Sequence, residues 1–303
     1  MPRPTNRGTI PQTLLKRIEN QFGPHFSDTI VEGLAASRPA TFRVNTLRAT
    51  DNQIMDELRA TAVRFERVKE IPHAFLLKDK LRTDKFDLPL AAAGKIYAQG
   101  LASMLPPIIL DPKPGEAVLD FCAAPGSKTS QLAAIMNNAG RLVAFEKDEI
   151  RFQKLQNTLD LQGVKAEAYR GDAALLAANF PEQFDKVLLD APCSAEGRIN
   201  LNDPRSYRFW SEKNITAHAK IQRRLLRAAL STVKPGGILV YSTCTLAPAE
   251  NEDMIRWLIA TYPEWQIEKI SSPLPGLSRP ESFYLLPSNR HEGMFISRLK
   301  RKT

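Results

Sequence analysis

Five short apolar runs, separated by stretches with helical spacing, decide what most of this chain can fold into. Ala117–Phe121 is followed by a turn and a helix predicted from about Lys128 to Met136. Arg141–Phe145 closes on Glu146 and precedes a helix to about Gly163. Ala166–Tyr169 leads to Gly171-Asp172, and Phe184–Leu189 closes on Asp190. A helix over Ile215–Val233 then passes through Lys234-Pro235-Gly236-Gly237 into Ile238–Tyr241. Strands that alternate with helices must lie mostly parallel, with helices covering both faces of the sheet. This is the doubly wound α/β class, in which ligands bind beyond the carboxyl ends of the strands.

The first part of the chain has a different pattern. Residues 11–36 read as two short helices broken near Gly23-Pro24, with Leu14, Leu15, Ile18 and Phe22 on one face of the first. Thr41–Leu47 reads as extended, Asp51 as the N-cap of a helix to about Ala62, and Val63–Val68 and Ala74–Leu77 as further strands. The expected division is a small α+β unit over residues 1–94 and an α/β unit over 95–303. Apolar residues at 43% and charged residues at 25% match a soluble globular protein. No run approaches the roughly 20 apolar residues of a membrane helix, so no membrane span is expected. MPRPTNRGTIPQ lacks the apolar core of a secretory signal. Three cysteines without such a signal point to a reducing, cytoplasmic setting.

The net charge of +9 suits a polyanionic partner, either nucleic acid or a membrane surface. Eight Lys/Arg against two Asp/Glu lie between Arg198 and Arg227, interleaved with Tyr207, Phe209 and Trp210. Basic groups hold phosphates and aromatics stack on unpaired bases, so RNA is the partner this mixture favours. Arg290–Lys302 adds five basic residues against one acidic. A solvated basic surface is the plainer explanation of either cluster alone.

Cys122-Ala123-Ala124-Pro125-Gly126-Ser127-Lys128-Thr129 fills the first strand-to-helix turn. Small residues let a ligand approach the backbone, and the helix start offers free N–H groups. The run is not the GxGxxG of dinucleotide sites and could be a purely structural connection. Glu146 ends the second strand, where a carboxylate can accept both hydroxyls of a ribose. Asp172 follows the third, where it could accept an adenine amino group. Each alone could be a solvated strand end. Together with Asp190 they make an adenosyl cofactor the expectation.

Asp190-Ala191-Pro192-Cys193-Ser194 and Ser242-Thr243-Cys244-Thr245 end the fourth and fifth strands. Cysteine is most often a small buried hydrophobe, and Cys122 is expected to be one. For Cys193 and Cys244 the shared position on the ligand-binding rim favours reactivity. No CxxC pair is present, and His25, His73, His218 and His291 lack ligand spacing, so no metal is expected.

With these residues in view, the chain resembles the NOL1/NOP2/Sun (RsmB/NOP2) family of RNA cytosine-C5 methyltransferases, and within it the bacterial RsmF-type enzymes of small-subunit rRNA. The resemblance rests on Tyr97-Ala98-Gln99 with Ser103-Met104-Leu105-Pro106, Ala123–Thr129, Asp190–Ser194 with Glu196-Gly197, and Tyr241–Leu246 with Glu250-Asn251-Glu252. Arg43-Val44-Asn45-Thr46-Leu47 matches a motif of the family's N-terminal RNA-contacting region, and His291–Phe295 matches its last hairpin. Ser127 stands where most of the wider family has glycine, Ala195 replaces a usual glycine, and Arg198–Pro204 is one residue longer.

The resemblance implies a Rossmann-like, S-adenosylmethionine-dependent methyltransferase domain behind a small RNA-binding domain. It places the cofactor on Cys122 to Lys128, Glu146, Arg151, Asp172 and Asp190. Cytosine C5 is a poor nucleophile until a thiolate adds at C6 and makes it enamine-like. The resemblance assigns that attack to Cys244, release of the C5 proton to Cys193, and the holding of the base to Asp190 and Lys128. The thiolate should lie near positive charge, and the target base must be unstacked. With the sequence closing at residue 303, RNA contacts are expected from the first 95 residues or the catalytic domain, and a monomer is expected. The same chemistry on tRNA is the main rival. DNA cytosine methylation fits less well, because the Thr-Cys motif is present beside the Pro-Cys motif. A non-catalytic rRNA-binding assembly factor is the rival from another class.

Overall fold

The computed structural model describes residues 11–61, 63–78 and 88–303. The expectation about a signal segment falls mostly on residues 1–10, and the expected helix end at Ala62 falls on residue 62; both lie outside the described residues.

Helix α1 (Gln12–Ala35) is broken at Gly23, whose φ of 78° and ψ of 166° are not helical. The break falls where Gly-Pro predicts it, because Pro24 cannot continue the hydrogen-bond ladder. Leu14, Ile18, Phe22, Ile30, Val31 and Leu34 are buried. They join the core of the large sheet, not that of the small one. Gly33 makes this possible, since a Cβ there would meet the Pro287 carbonyl oxygen at 1.9 Å.

The small unit contains β1 (Thr41–Val44), α2 (Asp51–Ala60), β2 (Phe65–Arg67), β3 (Ala74–Leu77), α3 (Pro89–Ala92) and β4 (Ile96–Ala98). Its antiparallel sheet has the order β2-β3-β1-β4. Phe42, Ile54, Leu58, Phe75, Leu77, Leu90 and Ile96 form its own core. The expected division at 94/95 falls just ahead of β4, a strand of this sheet. The cap of α2 is Thr50 rather than Asp51: Thr50 Oγ1 accepts from Gln53 N, and Gln53 Oε1 accepts from Thr50 N, a reciprocal capping box. Asp51 pairs instead with Arg67 and His73.

The large unit follows as α4 (Leu101–Leu110), β5 (Ala117–Asp120), α5 (Ser127–Ile135), β6 (Arg141–Glu146), α6 (Glu149–Gln162), β7 (Glu167–Arg170), α7 (Ala173–Leu176) and β8 (Phe184–Asp190). It continues with α8 (Glu212–Leu230), β9 (Val233–Thr243), α9 (Glu252–Thr261), β10 (Trp265–Glu268), β11 (Leu277–Arg279), β12 (Ser282–Leu285) and β13 (Met294–Arg301). The sheet order is β11-β12-β13-β9-β8-β5-β6-β7, with β10 beside β13. Strands β9, β8, β5, β6 and β7 run parallel, as the alternation predicts. Strands β10 to β13 add an antiparallel extension that the alternation does not announce.

Alternate residues of each strand serve opposite faces. Leu119, Val143, Val187, Leu239 and Phe295 pack with α1, α8 and α9, whereas Val118, Leu142, Leu188, Val240 and Ile296 pack with α4 and α5. The sequence Lys234–Gly237, expected to be a linker, lies inside β9. A register shift between Phe184 and Lys186 accommodates it, with Gly236 at φ 78°. Among the described residues no helix is long and apolar enough to cross a membrane.

Candidate active site

The carboxyl ends of β5, β6, β8 and β9 open into one cavity of about 1000 Å³. The first turn forms one wall, where Cys122, Ala123, Ala124, Pro125, Ser127 and Lys128 all reach the cavity. Gly126 does not line it. Its φ is 105°, and a Cβ there would meet Thr158 Cγ2 of α6 at 2.8 Å, so glycine lets the turn pack on that helix. Burial, with Asp120 next, pushes the Cys122 thiol well up, which suits a packing residue.

Glu146, 5% exposed, faces the same cavity. Its Oε1 accepts from Asp148 N at 2.9 Å, and its Oε2 lies 3.5 Å from Arg151 Nη2. Arg151 also donates to the Ala124 carbonyl at 2.8 Å, tying the first turn to the second strand end. Asp172 lines the cavity but is already engaged. One oxygen caps α7 at Ala174 N, 3.1 Å away, and the other accepts from Arg224 at 2.8 Å. Burial alone would raise this carboxyl; the Arg224 and Ala174 hydrogen bonds outweigh it and hold it below the usual range.

Lys128, which is buried, and Asp190, which is half-buried, form an ion pair, Nζ to Oδ2, at 2.7 Å. Lys128 Nζ also donates to Ser103 Oγ at 2.9 Å, and Ser242 Oγ donates to the other Asp190 oxygen at 2.7 Å. Burial opposes the lysine charge, but Asp190 overcomes this and holds the ammonium above its ordinary range. Beneath the pair, burial pushes Asp120 up to about 6, against a hydrogen bond from Thr129 Oγ1 at 2.7 Å.

The two cysteines meet. Cys193 Sγ and Cys244 Sγ are 3.2 Å apart and both line the cavity. The hydrogen bond to Cys244, reinforced by burial, pushes the Cys193 thiol well above its ordinary value. The arm carrying Cys193 is held from behind by Glu250, which accepts from Ser194 N at 3.0 Å and from Gln222 Nε2 at 2.8 Å. Gln222 also donates to the Pro192 carbonyl at 2.9 Å. Gly197 N donates to the Cys244 carbonyl at 2.9 Å and accepts at its own carbonyl from Gly293 N at 2.9 Å. A Cβ on Gly197 would meet the Gly293 carbonyl oxygen at 2.4 Å, so this close lacing requires glycine.

Positive charge faces the sulfurs from two elements. Arg198 lines the cavity with its Nε 3.3 Å from Glu292 Oε2, and Glu292 holds the guanidinium above its ordinary range. Lys128 also interacts with Cys244. Ser103, Ser242, Gln222 and the wall from Tyr97 to Gly100 were not identified from the sequence as site residues with roles. Each acts across the fold on a residue of another element, which local spacing does not reveal. Among the described residues, no group of three or more His, Cys, Asp or Glu could hold a metal ion.

Two expectations about RNA contacts change. Arg43 and Asn45 are 3% and 1% exposed and join the two units. Arg43 donates to Gln99 Oε1 at 3.1 Å and to Ser130 Oγ of α5 at 3.0 Å, while Asn45 Nδ2 donates to the Gly94 and Gln162 carbonyls. In the basic tail, Arg298 pairs with Glu268, Arg301 with Glu182, and Lys302 binds the Pro263 carbonyl, so these charges hold β13 in place.

Residues 107–300 match a family model described as 16S rRNA methyltransferase RsmB/F. Residues 10–84 match one described as the ferredoxin-like domain of RsmF/B-like methyltransferases. The chain is 36% identical over 301 residues to the ribosomal RNA small subunit methyltransferase F of Shewanella loihica, covering 95% of this chain and 62% of that protein. It is 42% identical over 181 residues to the tRNA (cytosine(49)-C(5))-methyltransferase of Pyrococcus abyssi, covering 60% of this chain and 58% of that one. A crystal structure of a methyltransferase homologue from Pyrococcus horikoshii superposes with a TM-score of 0.83 at 32% identity, covering 99% of this chain and 100% of that one. The chain thus spans about three fifths of the length of the curated relatives it matches.

Proposed function

Since the chain belongs to the RsmB/F family of 16S rRNA methyltransferases, we propose that it forms 5-methylcytosine in RNA, with small-subunit rRNA as its substrate. The observation that carries this is the 3.2 Å contact between Cys193 and Cys244 beside the Lys128–Asp190 pair, in one cavity. A cavity near 1000 Å³ has room for a nucleoside cofactor and a flipped base together. The small wall from Cys122 to Ser127 and the inward Glu146 carboxylate fit an adenosyl group, with Arg151 bracing that wall through the Ala124 carbonyl and Asp172 lining the same cavity. S-adenosylmethionine, when bound there, supplies an electrophilic methyl group.

Cys244 attacks C6 of the cytosine, and Asp190 with Lys128 holds the base edge. Lys128 and Arg198 bring positive charge to the Cys244 sulfur. The sulfur contact divides the labour. While Cys244 is anionic, Cys193 donates to it and stays a thiol. Once the Cys244 charge is spent in the C6 bond, the largest part of that restraint is removed, although burial still opposes ionisation. Cys193, once its own proton has passed to solvent, takes the C5 proton; the electron pair this leaves at C5 restores the C5–C6 double bond and expels Cys244 as its thiolate. Residues 1–94 with the basic Arg198–Arg227 stretch supply the RNA contacts, and the protein acts as a cytoplasmic monomer.

Transfer to tRNA is the second reading, favoured by the 42% identity to a tRNA methyltransferase over 181 residues. Bisulfite sequencing of rRNA and tRNA, with and without the gene, tests both. A new unmethylated position in small-subunit rRNA is expected on deletion. A change confined to tRNA selects the second reading, and no change in either sinks both. The absence of any cofactor binding by the purified chain would leave an rRNA-binding assembly factor.

A further inference from the structure

Among the described residues Phe209 is the most exposed large apolar side chain, at 75%. Burying a phenylalanine is worth roughly 1.5–3 kcal/mol, so a chain free to turn it inward would do so. Here it cannot. On one side Tyr207 is packed in the core at 7% exposure. On the other, Trp210 Nε1 donates to Glu196 Oε1 at 2.7 Å, and Ser211 caps α8 by accepting from Asn214 N at 3.2 Å. Further upstream, Leu201 N donates to the Leu34 carbonyl at 3.0 Å, and Asp203 accepts from Arg205 N at 3.1 Å. The loop is anchored on both flanks, and Phe209 is held out into solvent between the anchors. The Arg208 guanidinium lies 4.4 Å from the ring centroid, over one face.

The loop is joined at both ends to elements that line the cavity. Glu196, which holds Trp210, is two residues before Arg198, a lining residue beside the sulfurs. Helix α8, which begins just after the loop, places Ile221 and Arg224 on the same lining. Eight basic residues against two acidic occupy Arg198–Arg227, so the surroundings favour a polyanion over an apolar protein surface. A rigid aromatic ring with a guanidinium on one side, in a basic stretch of chain, is what an unpaired base stacks on. Of the three aromatics in this stretch, the structure leaves Phe209 for that task, because Tyr207 is buried and Trp210 is tethered.

We infer that Phe209, backed by Arg208, is a stacking platform for an unpaired RNA base flanking the nucleotide in the cavity. This rests on the proposed RNA methylation for the identity of the central nucleotide. Because every base has a π-face, the platform selects single-stranded flanks without selecting their sequence.

The test is fluorescence anisotropy without cofactor, using a short single-stranded RNA with one cytosine and the same RNA in a duplex. Phe209→Ala should weaken single-strand binding roughly 5- to 150-fold, the effect of losing one base–aromatic stack. The loss should be equal at low and high salt, because stacking releases no counterions. Phe209→Trp should restore binding and Phe209→Leu should not, separating stacking from apolar contact. Duplex binding should be unchanged. Wild-type affinity in both Phe209→Ala and Phe209→Leu, or an equal loss on duplex and single strand, would overturn the platform. Methyl transfer by the wild-type chain is scored separately. Its absence, alongside selective loss of single-strand binding in Phe209→Ala, would sink the activity and leave the platform standing.

Discussion

Cys193 and Cys244 follow two neighbouring parallel strands, β8 and β9, and the sheet brings their sulfurs to 3.2 Å across a separation of 51 residues. A single thiol would serve a simple nucleophile, so the pair calls for variants that tell the two apart. Cys244→Ala should abolish methyl transfer while cofactor affinity stays within about twofold, since the sulfur is proposed to attack the base and not to hold the adenosyl group. Calorimetry and a methyl-transfer assay measure the two. Appreciable turnover would show that another residue attacks C6.

Cys193→Ala should allow attack and methylation but stall release. The expected product is a protein–RNA adduct through Cys244 that survives denaturing electrophoresis and forms only with S-adenosylmethionine present. The double variant Cys193→Ala/Cys244→Ala should form none. An adduct in Cys244→Ala, and none in Cys193→Ala, would reverse the two roles.

Glu146→Ala should weaken S-adenosylmethionine binding by about 1–3 kcal/mol, the range for a lost charged hydrogen-bond partner. Part of that loss will come from Arg151, which lies 3.5 Å from the carboxylate and also braces the Ala124 carbonyl. Arg151→Ala therefore should weaken binding in the same direction. An unchanged dissociation constant in Glu146→Ala would make the carboxylate a brace of the turn alone.

Asp120 gives a stability prediction with a definite sign. Burial raises its folded-state carboxyl from 3.8 to about 6, so the folded chain holds this proton more tightly than the unfolded chain does. The stabilisation is fully present below the lower value and is lost as pH rises through the upper one. Asp120→Asn should remove that loss, gaining on the wild type by roughly 2–3 kcal/mol between pH 4 and 7. Urea unfolding across this range measures the difference, and a difference that does not change with pH would contradict it.

Legibility in the sequence followed how local each signal was. The five parallel strands could be read because short apolar runs alternate with helical spacing, and two of the runs close on a polar residue at the rim, Glu146 and Asp190. Helix α1 broke where Gly23-Pro24 said it would. The antiparallel strands β10 to β13 carry no comparable alternation: Trp265–Glu268 mixes one buried residue with half-buried and exposed ones, and Met294–Phe295-Ile296-Ser297 is buried without a break. Asp51 looked like a cap because it is acidic and first in its helix, but the reciprocal bond with Gln53 belongs to Thr50. In the site, residues on strand ends were identifiable by position. Ser103, Gln222 and Arg198 were not, because each acts on a residue of another element. The motif at Arg43 was legible as a motif, but only the fold shows that its polar groups are spent on α5 and α6.

Arg43→Ala should destabilise the chain by about 2–3 kcal/mol, because it strands the buried Gln99 and Ser130 oxygens without a donor. Denaturant unfolding measures this. A change below about 0.5 kcal/mol would mean that water replaces the guanidinium at no cost.

The wall from Tyr97 to Gly100 gives the seam between the units a thermodynamic meaning. These residues line the cavity while β4 belongs to the small sheet, so the binding surface is complete only when the two units are docked. Ligand occupancy and docking are then linked quantities, each strengthening the other by the same free energy. Filling the cavity should slow amide hydrogen exchange at Val44 and Asn45, whose N–H groups bond across the small sheet and its connection to β4. Loosening the Arg43 clasp should weaken cofactor affinity, although Arg43 does not line the cavity. In this chain, binding strength is partly set by contacts the ligand never touches.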